Sequence, residues 1–397
     1  MQPGDTTLSR INAGRGLRAF ADGLIAILLP LYLGQLGYGP VEIGVIATAT
    51  LLGSAVLTLA LGFAAHRFRL RRGLLGAALL MVATGLGFAS LQAFWLLLVV
   101  AFVGTLNPSG GDVSVFLPLE HTLIAQSVAD HRRTAAYARY SFIGSLGAAM
   151  GSLAAGSLDW IQTVLPGAAA SRALFLLYAA VGLATLLLYL GLPDAEATQK
   201  ATARLGKSRR RVYGLAALFA IDAFGGGFVV NAMLALWLFE RFGLSASAAG
   251  AIFFATGLCS AVSYFVAERL AARWGLVNTM VFTHLPSNVF LIAAALSPSL
   301  ALTIVFLVLR SLLSQMDVPT RSSYVMAVVE PEERPAAASV TAVPRSLAAA
   351  ISPTLAGLAL GLTAFGWPLV CAGVLKIGYD LALLQRFRAV RPPEEAG

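Results

Sequence analysis

The stretch PDAEATQKATARLGKSRRR, residues 193–211, is the longest polar run in the chain and lies close to its middle. It carries six basic residues, Lys200, Arg204, Lys207, Arg209, Arg210 and Arg211, and long apolar segments flank it on both sides. In a soluble protein it would be an ordinary solvated loop. This chain of 397 residues, however, is 58% hydrophobic and only 12% charged, with a mean hydropathy of +0.80. Soluble domains carry about 25% charged residues, so a water-soluble fold of this size could not cover its apolar surface. The chain reads as an all-α polytopic membrane protein that the polar run cuts into two halves.

A hydrocarbon core of about 30 Å takes about 20 helical residues to cross. Twelve segments qualify: 17–37, 42–64, 73–92, 94–126, 135–158, 171–191, 213–239, 246–268, 275–296, 299–329, 336–362 and 365–387. Their apolar runs are continuous rather than alternating, and in lipid each segment must satisfy its own backbone polar groups, so helices are expected. No cleavable signal peptide is evident in MQPGDTTLSRINAGRGLR.

The net charge is +9, which in a soluble protein would suggest nucleic acid. Here the basic residues sit at the ends of the spans. Of the basic residues, 21 fall on one side of the expected bilayer, among them Arg10, Arg15, Arg18, Arg132, Arg133 and the cluster of the central run. Only Arg172 and Arg241 fall on the other side. The positive-inside rule then places both termini and the central run in the cytoplasm, which twelve spans allow.

The halves carry a repeat. RTAAYARYSFIGSLGAAMGSLAAG (133–156) and RPAAASVTAVPRSLAAAISPTLAG (334–357) match at nine of 24 positions without gaps, and the same register pairs Pro118 with Pro319 and Glu120 with Arg321. Gly37 and Gly44 pair with Gly243 and Gly250 at a different constant offset, as does Arg67 with Arg273. Asp22 and Asp222 stand at comparable places in spans one and seven, with about six residues to be inserted after Asp222 to keep the glycines aligned. The halves are then 1–192 and 213–397, with 193–212 as the linker.

Two six-span halves joined by a basic linker resemble the major facilitator superfamily. GFAAHRFRLRR (62–72), after span two, is similar to that family's loop motif: Gly62, Arg67, Arg71 and Arg72 match, while His66 stands where the motif has Asp and Arg69 where it has Gly. The resemblance implies two pseudo-symmetric six-helix bundles, a substrate path between them, alternating access, and solute transport. It also implies a cytoplasmic gating loop at Gly62, His66, Arg67, Arg71 and Arg72, whose latch chemistry the missing Asp alters. Span five offers Gly144, Gly147 and Gly151 on one small face, which close packing explains. The family's antiporters place glycines there too, together with a proline that this chain lacks.

Charges lie inside the spans. Arg310, Ser314, Asp317 and Arg321 follow i, i+4, i+7, i+11, which puts them on one helical face. Each charge would cost on the order of 3 kcal/mol facing lipid at mid-depth, so that face must meet protein or water. Span four carries Asp112, Glu120 and His121, with NPSGG (107–111) expected to bend it; Arg139, Arg345, Lys376 and Asp380 lie in spans five, eleven and twelve. Two readings apply to these groups. In one they are structural ion pairs, Asp317 with Arg345 or Arg321 and Glu120 with Arg139. In the other at least one carboxylate among Asp22, Glu120, Asp222 and Asp317 exchanges a proton during a transport cycle, with Arg139, Arg321 and Arg345 available to an anionic substrate group. His121 and His284 read as satisfied interior histidines, since the sequence shows no close carboxylate or second histidine to complete a metal site. Cys259 and Cys371 read as buried free thiols.

No phosphate-binding loop with its lysine is present, and a linker this short cannot hold an ATP-binding domain. No HExxH or GxSxG occurs, and His and Cys are too sparse for a convergent catalytic set. The chain is therefore expected to be a secondary active transporter rather than an enzyme, without cofactor or metal. It would export a small, partly apolar organic compound in exchange for protons. The alternatives are proton-linked uptake of an anionic metabolite and, more distantly, a membrane sensor that binds without transport. The expected setting is a bacterial inner membrane, as a monomer, with a small-molecule substrate, protons and lipid as partners and no nucleic acid.

Overall fold

Sixteen helices make up the described part of the computed structural model, which covers residues 3–64, 69–109, 114–129, 132–195 and 205–388. Through the first half they are α1 (Pro3–Gln35), α2 (Pro40–Ala64), α3 (Leu70–Ser90), α4 (Phe94–Val103), α5 (Phe116–Ser127), α6 (Arg133–Ala155), the short α7 (Ser157–Ile161) and α8 (Ala168–Leu190). The second half continues with α9 (Arg209–Gly227), α10 (Asn231–Phe242), α11 (Ala246–Trp274), α12 (Leu276–Leu296) and α13 (Leu300–Leu313). It ends with α14 (Asp317–Ala327), α15 (Arg334–Leu362) and α16 (Trp367–Phe387). Among the described residues, 11 helical segments are long and apolar enough to cross a membrane, and the shorter apolar helix Phe94–Val103 begins a further span.

Three expected spans are broken. The fourth stops at Val103 and resumes at Phe116, as NPSGG foretold. The tenth turns at 314–316 between α13 and α14. The two resuming helices carry Pro118 and Pro319 in their first turn, the register-matched prolines, where a missing N–H leaves no helical bond unmade. The seventh breaks at 228–230 after three successive glycines, Gly225 to Gly227, which the sequence reading did not anticipate. The break at 314–316 also interrupts the expected charged stripe. Asp317 and Arg321 are buried, whereas Arg310 is half-buried, with no hydrogen-bond partner for its Nε.

Packing divides the chain into two units, Met1–Gln199 with Val230–Phe254, and Lys200–Val229 with Ala255–Gly397. In the first unit α1 packs most heavily on α6 and α3 on α8; in the second α9 packs on α15 and α12 on α16. Glycines set the closest of these approaches. A Cβ on Gly23 would lie 2.0 Å from the Ala148 carbonyl oxygen, and one on Gly227 would lie 2.3 Å from that of Ala349. A Cβ on Gly151 would lie 1.8 Å from the Phe20 carbonyl oxygen, and at the matched place in α15 Ser352 donates its hydroxyl to the Phe224 carbonyl at 2.6 Å. The small face of α6 is thus explained by its contact with α1.

These contacts fix the repeat register more closely than the sequence does. Gly23 answers to Gly227 and Phe20 to Phe224, while Gly37 and Gly243, each at positive φ, end α1 and α10. Only two extra residues, taken up at the 228–230 break, separate the two offsets. Asp222 therefore corresponds to Arg18 and not to Asp22.

The first unit also holds Val230–Phe254 by specific contacts. The Asp159 carboxylate of α7 accepts from the backbone N–H groups of Ala246 (3.2 Å) and Ser247 (2.8 Å) and from the Ser247 hydroxyl, capping the start of α11 from a distant part of the chain. The Ala232 N–H donates to the Pro108 carbonyl at 3.0 Å. Cys259 and Cys371 are free thiols; Cys371 is exposed and Cys259 half-buried, so the expectation of burial fails for both.

Candidate functional site

Each unit encloses its own cluster of charged side chains. In the first, α1 presents Arg18 and α5 presents Glu120, and the Arg18 guanidinium donates to Glu120 Oε2. Tyr140 of α6 donates to the same oxygen and Tyr189 of α8 to Oε1, so three donors from three helices converge on one carboxylate. Arg18 lies 4.0 Å from the centre of the Phe116 ring, and Arg15 lies 5.0 Å from that of Tyr140. Glu120 is wholly buried and Arg18 nearly so. A buried ion pair is tolerated best when its remaining lone pairs and protons are satisfied; here the two tyrosines satisfy the carboxylate and an aromatic face meets the guanidinium, whose Nε has no hydrogen-bond partner among the described residues. Asp22, one helical turn beyond Arg18, is buried within electrostatic reach of Arg18 and Tyr178.

The expected pairing of Glu120 with Arg139 is not made. Arg139 is exposed and forms no ion pair among the described residues; Arg18, assigned by sequence to the basic interface, takes its place. The two residues lie far apart in sequence, and no local spacing signals their meeting. His121 packs against the rings of Tyr137 and Tyr140, at 4.8 and 5.2 Å between centroids.

In the second unit α9 presents Asp222. Its Oδ2 accepts from Arg321 of α14 at 3.0 Å and its Oδ1 from Lys376 of α16 at 2.6 Å. Arg321 also donates to Asp317, one turn earlier on its own helix, at 2.6 Å, and its guanidinium lies 5.4 Å from the centre of the Phe219 ring. Of the two partners expected for Asp317, Arg321 is the one found. Arg345 is exposed, forms no ion pair among the described residues, and stands within electrostatic reach of Arg321, Asp222 and Asp317.

Beside this group lies a second buried knot. His284 Nδ1 lies 2.8 Å from Asp380 Oδ1, and Asn288 donates to Asp380 Oδ2 at 3.1 Å. His284 Nε2 faces Asp222 Oδ1 at 3.7 Å. The sequence reading found no carboxylate near His284. There are two, both supplied by other helices. Lys376, Asp380, His284 and Asn288 were thus missed as members of one network; the only sequence signal was that each polar group sits within an apolar span. Among the described residues no group of three or more His, Cys, Asp or Glu side chains is arranged to hold a metal ion.

Of the expected gating loop, His66 and Arg67 lie outside the described residues, and Gly62 is in the last turns of α2. Arg71 donates to the Leu190 carbonyl at 2.6 Å, and Arg72 is exposed. Arg69, which occupies the motif's glycine place, pairs with Asp194, and Leu70 N–H donates to the Ala195 carbonyl at 2.9 Å. The start of α3 is thereby tied to the segment that follows α8. A groove of about 840 Å³ at the start of α9 and the end of α16 is lined by Lys207, Arg210, Arg211, Arg386, Glu330 and Phe387, and contains none of the expected site residues.

Paired charges buried in a repeated array of apolar helices define a polytopic membrane transport protein. The family model described as Major Facilitator Superfamily matches residues 12–221 and 215–397, and the chain belongs to that superfamily. It is 26% identical over 415 residues to YJR124C, an uncharacterized membrane protein of Saccharomyces cerevisiae, across 94% of this chain and 92% of that one. Its structure is similar to that of a bacterial homolog of the human lysosomal transporter Spinster (TM-score 0.73, 16% identity, 96% of each chain). It is also similar to the nucleoside transporter NupG (0.71, 16%, 98% of this chain and 99% of that one). The human organic anion transporter MFSD10 gives 0.66 at 18% identity, over 96% of this chain and 100% of that one. The fold is the twelve-helix, two-bundle architecture of the superfamily, and the protein is a membrane-embedded secondary transporter of a small molecule.

Proposed function

We propose that the protein couples movement of a small organic solute to protons by alternating access, with efflux of a partly apolar compound in exchange for H⁺ as the first reading. The observation that carries proton coupling is Asp222, clamped between Arg321 and Lys376 within spanning helices. Ionisable groups at this depth are costly, and a well-packed apolar core would hold the helices as well. A carboxylate held by two cations changes its proton affinity sharply when either cation moves, which makes it responsive to a helix rearrangement. Residues 1–192 and 213–397 act as the two moving halves. Both termini and the 193–212 linker face the cytoplasm of a bacterial inner membrane, and the protein works as a monomer.

A second reading, proton-linked uptake of an anionic metabolite, is favoured by one feature. Arg139 and Arg345 are both exposed and pair with no carboxylate among the described residues, which leaves two guanidinium groups available to an anion. A ligand-stabilisation screen of the purified protein, followed by flux of the hits in inside-out vesicles under an imposed pH gradient, separates the readings. Accumulation driven by an acid interior supports exchange. Accumulation driven only by an acid exterior supports uptake, binding without flux in either gradient makes the protein a sensor, and flux indifferent to both gradients removes the proton.

A further inference from the structure

We propose that His284 and Asp380 together form the proton-binding site of the protein, holding one exchangeable proton for the whole buried network of the second unit. The inference rests on the proton-coupled reading above and puts the resting proton beside the clamped Asp222 rather than on it. It stands on two observations, one of hydrogen-bond geometry and one of charge balance.

The first concerns the imidazole ring. Its Nδ1 lies 2.8 Å from Asp380 Oδ1, and its Nε2 faces Asp222 Oδ1 at 3.7 Å. A neutral imidazole has one N–H and one lone pair, so one of its nitrogens would present a lone pair to a carboxylate oxygen. Only the imidazolium donates to Asp380 Oδ1 and also turns a positive N–H toward Asp222 Oδ1, an electrostatic contact at that distance rather than a hydrogen bond; the Asn288 amide nitrogen also lies 3.2 Å from Nδ1. The Asn288 amide donates to Asp380 Oδ2 and leaves Oδ1 for the ring.

The second is a count of charge. The buried carboxylates around His284 are Asp222 of α9, Asp317 of α14 and Asp380 of α16, while the buried fixed cations are Arg321 of α14 and Lys376 of α16. Three acids face two bases, and a single proton on the His284–Asp380 pair brings the buried cluster to neutrality. The balance is that of the buried side chains; Arg345, outside that cluster, stands within electrostatic reach of Arg321, Asp222 and Asp317. Tyr379 meets the ring edge-on at 6.0 Å, and its hydroxyl has no hydrogen-bond partner. Arg345 of α15 is exposed, and among the described residues neither it nor Arg310 of α13 forms an ion pair. The first unit is balanced without a proton, since its buried charges among the described residues are Asp22 and Glu120 against Arg15 and Arg18. The odd charge therefore belongs to the second unit.

Within that unit the proton belongs on His284, held there by Asp380. Each oxygen of Asp222 already meets a cation, and Asp317 holds Arg321, so protonating either would break an ion pair. Asp380 meets no fixed cation, only His284 and Asn288. Because His284 and Asp380 are both buried, the proton comes from water and returns to it only when α12 and α16 separate from the neighbouring α9 and α14. That requirement ties the proton to the conformational change.

The test is ring nitrogen-15 NMR of the full-length protein, labelled at its histidines and reconstituted in lipid at pH 7.5. The chain has four histidines, and the His284 signals are those that vanish in His284→Gln or, should that variant not fold, those that remain in the triple variant His66→Gln, His121→Gln, His131→Gln. Both ring nitrogens of His284 are expected to be protonated in the wild type, and one of them to lose its proton in Asp380→Asn. A singly protonated His284 in the wild type, or a signal unmoved by Asp380→Asn, overturns the site. The proton-coupled reading fails separately, through flux that ignores the pH gradient, so the two failures are distinguishable.

Discussion

Arg18 and Glu120 form the charge-reversed counterpart of Asp222 and Arg321. In the first unit the first helix supplies the guanidinium and the α5 position the carboxylate; at the register-matched places of the second unit, α9 supplies the carboxylate and α14 the guanidinium. The same helix pair thus carries an ion pair in both units with its signs exchanged. The aromatic support also recurs, with Phe116 beside Arg18 and Phe219 beside Arg321.

The pair in the first unit is expected to be structural. Glu120→Ala leaves Arg18 buried without its counter-charge, at a cost of about 3–5 kcal/mol. Exchanging the signs, with Arg18→Asp and Glu120→Arg together, copies the arrangement of the second unit and recovers part of that loss. Thermal unfolding in detergent reads both. A double exchange no more stable than the worse single variant would show that the two sites are not equivalent.

The glycine contacts make a graded prediction. Gly151→Ala drives a methyl group into the Phe20 carbonyl and lowers stability by about 1–3 kcal/mol. Gly76→Ala in α3, where nothing stands within 4 Å, is expected to raise stability by about 0.4–1 kcal/mol through the unfolded chain. Equal effects of the two substitutions would contradict the close α1–α6 approach.

How much of this was legible is clearest in particular residues. The twelve spans, the matched prolines and Asp317 beside Arg321 all follow from local spacing or from a self-comparison of the sequence. Arg18 with Glu120, and His284 with Asp380, could not be read that way: each pair joins helices about a hundred residues apart, and helix rotation rather than sequence spacing decides which polar faces meet. The place of Asp222 in the repeat stayed open in the sequence for a definite reason. The sequence shows that residues must be inserted between Asp222 and Gly243, but not that only two of them lie at the 228–230 break, and that number decides whether Asp222 answers to Asp22 or to Arg18.

Outside the membrane, Glu333 anchors the start of α9. Its carboxylate accepts from the backbone N–H groups of Gly206 (2.9 Å), Lys207 (3.0 Å) and Ser208 (3.1 Å). Its surroundings pull its proton affinity upward, but these donors outweigh them and hold it below the usual carboxylate range. A carboxyl depressed on folding stabilises the fold above its unfolded value, near 4.5, and loses that effect as pH falls through the lower folded value. The wild type is therefore expected to keep the α9 anchor unchanged from pH 8 to 5 and to weaken below that, whereas Glu333→Gln has it weakened throughout. Hydrogen exchange at residues 206–212 against pH checks this; identical profiles for the two proteins would remove Glu333 from the anchor.

The Asp159 cap is expected to hold the start of α11 on the first unit. Asp159→Ala removes an acceptor shared by two backbone N–H groups and costs about 1 kcal/mol. Faster hydrogen exchange confined to the first turn of α11 is the expected signature, and protection equal to that of the wild type would show that the cap is dispensable.

The most direct measurement is the pH inside proteoliposomes loaded with a pH-sensitive dye, followed as a compound retained by the stabilisation screen is added outside. The wild type should show a change in internal pH that grows with the compound's flux. Asp222→Asn should bind the same compound and produce no such change. Flux of the compound with no pH change in the wild type, or an undiminished change in Asp222→Asn, would contradict a transport cycle in which the clamped carboxylate links solute movement to protons.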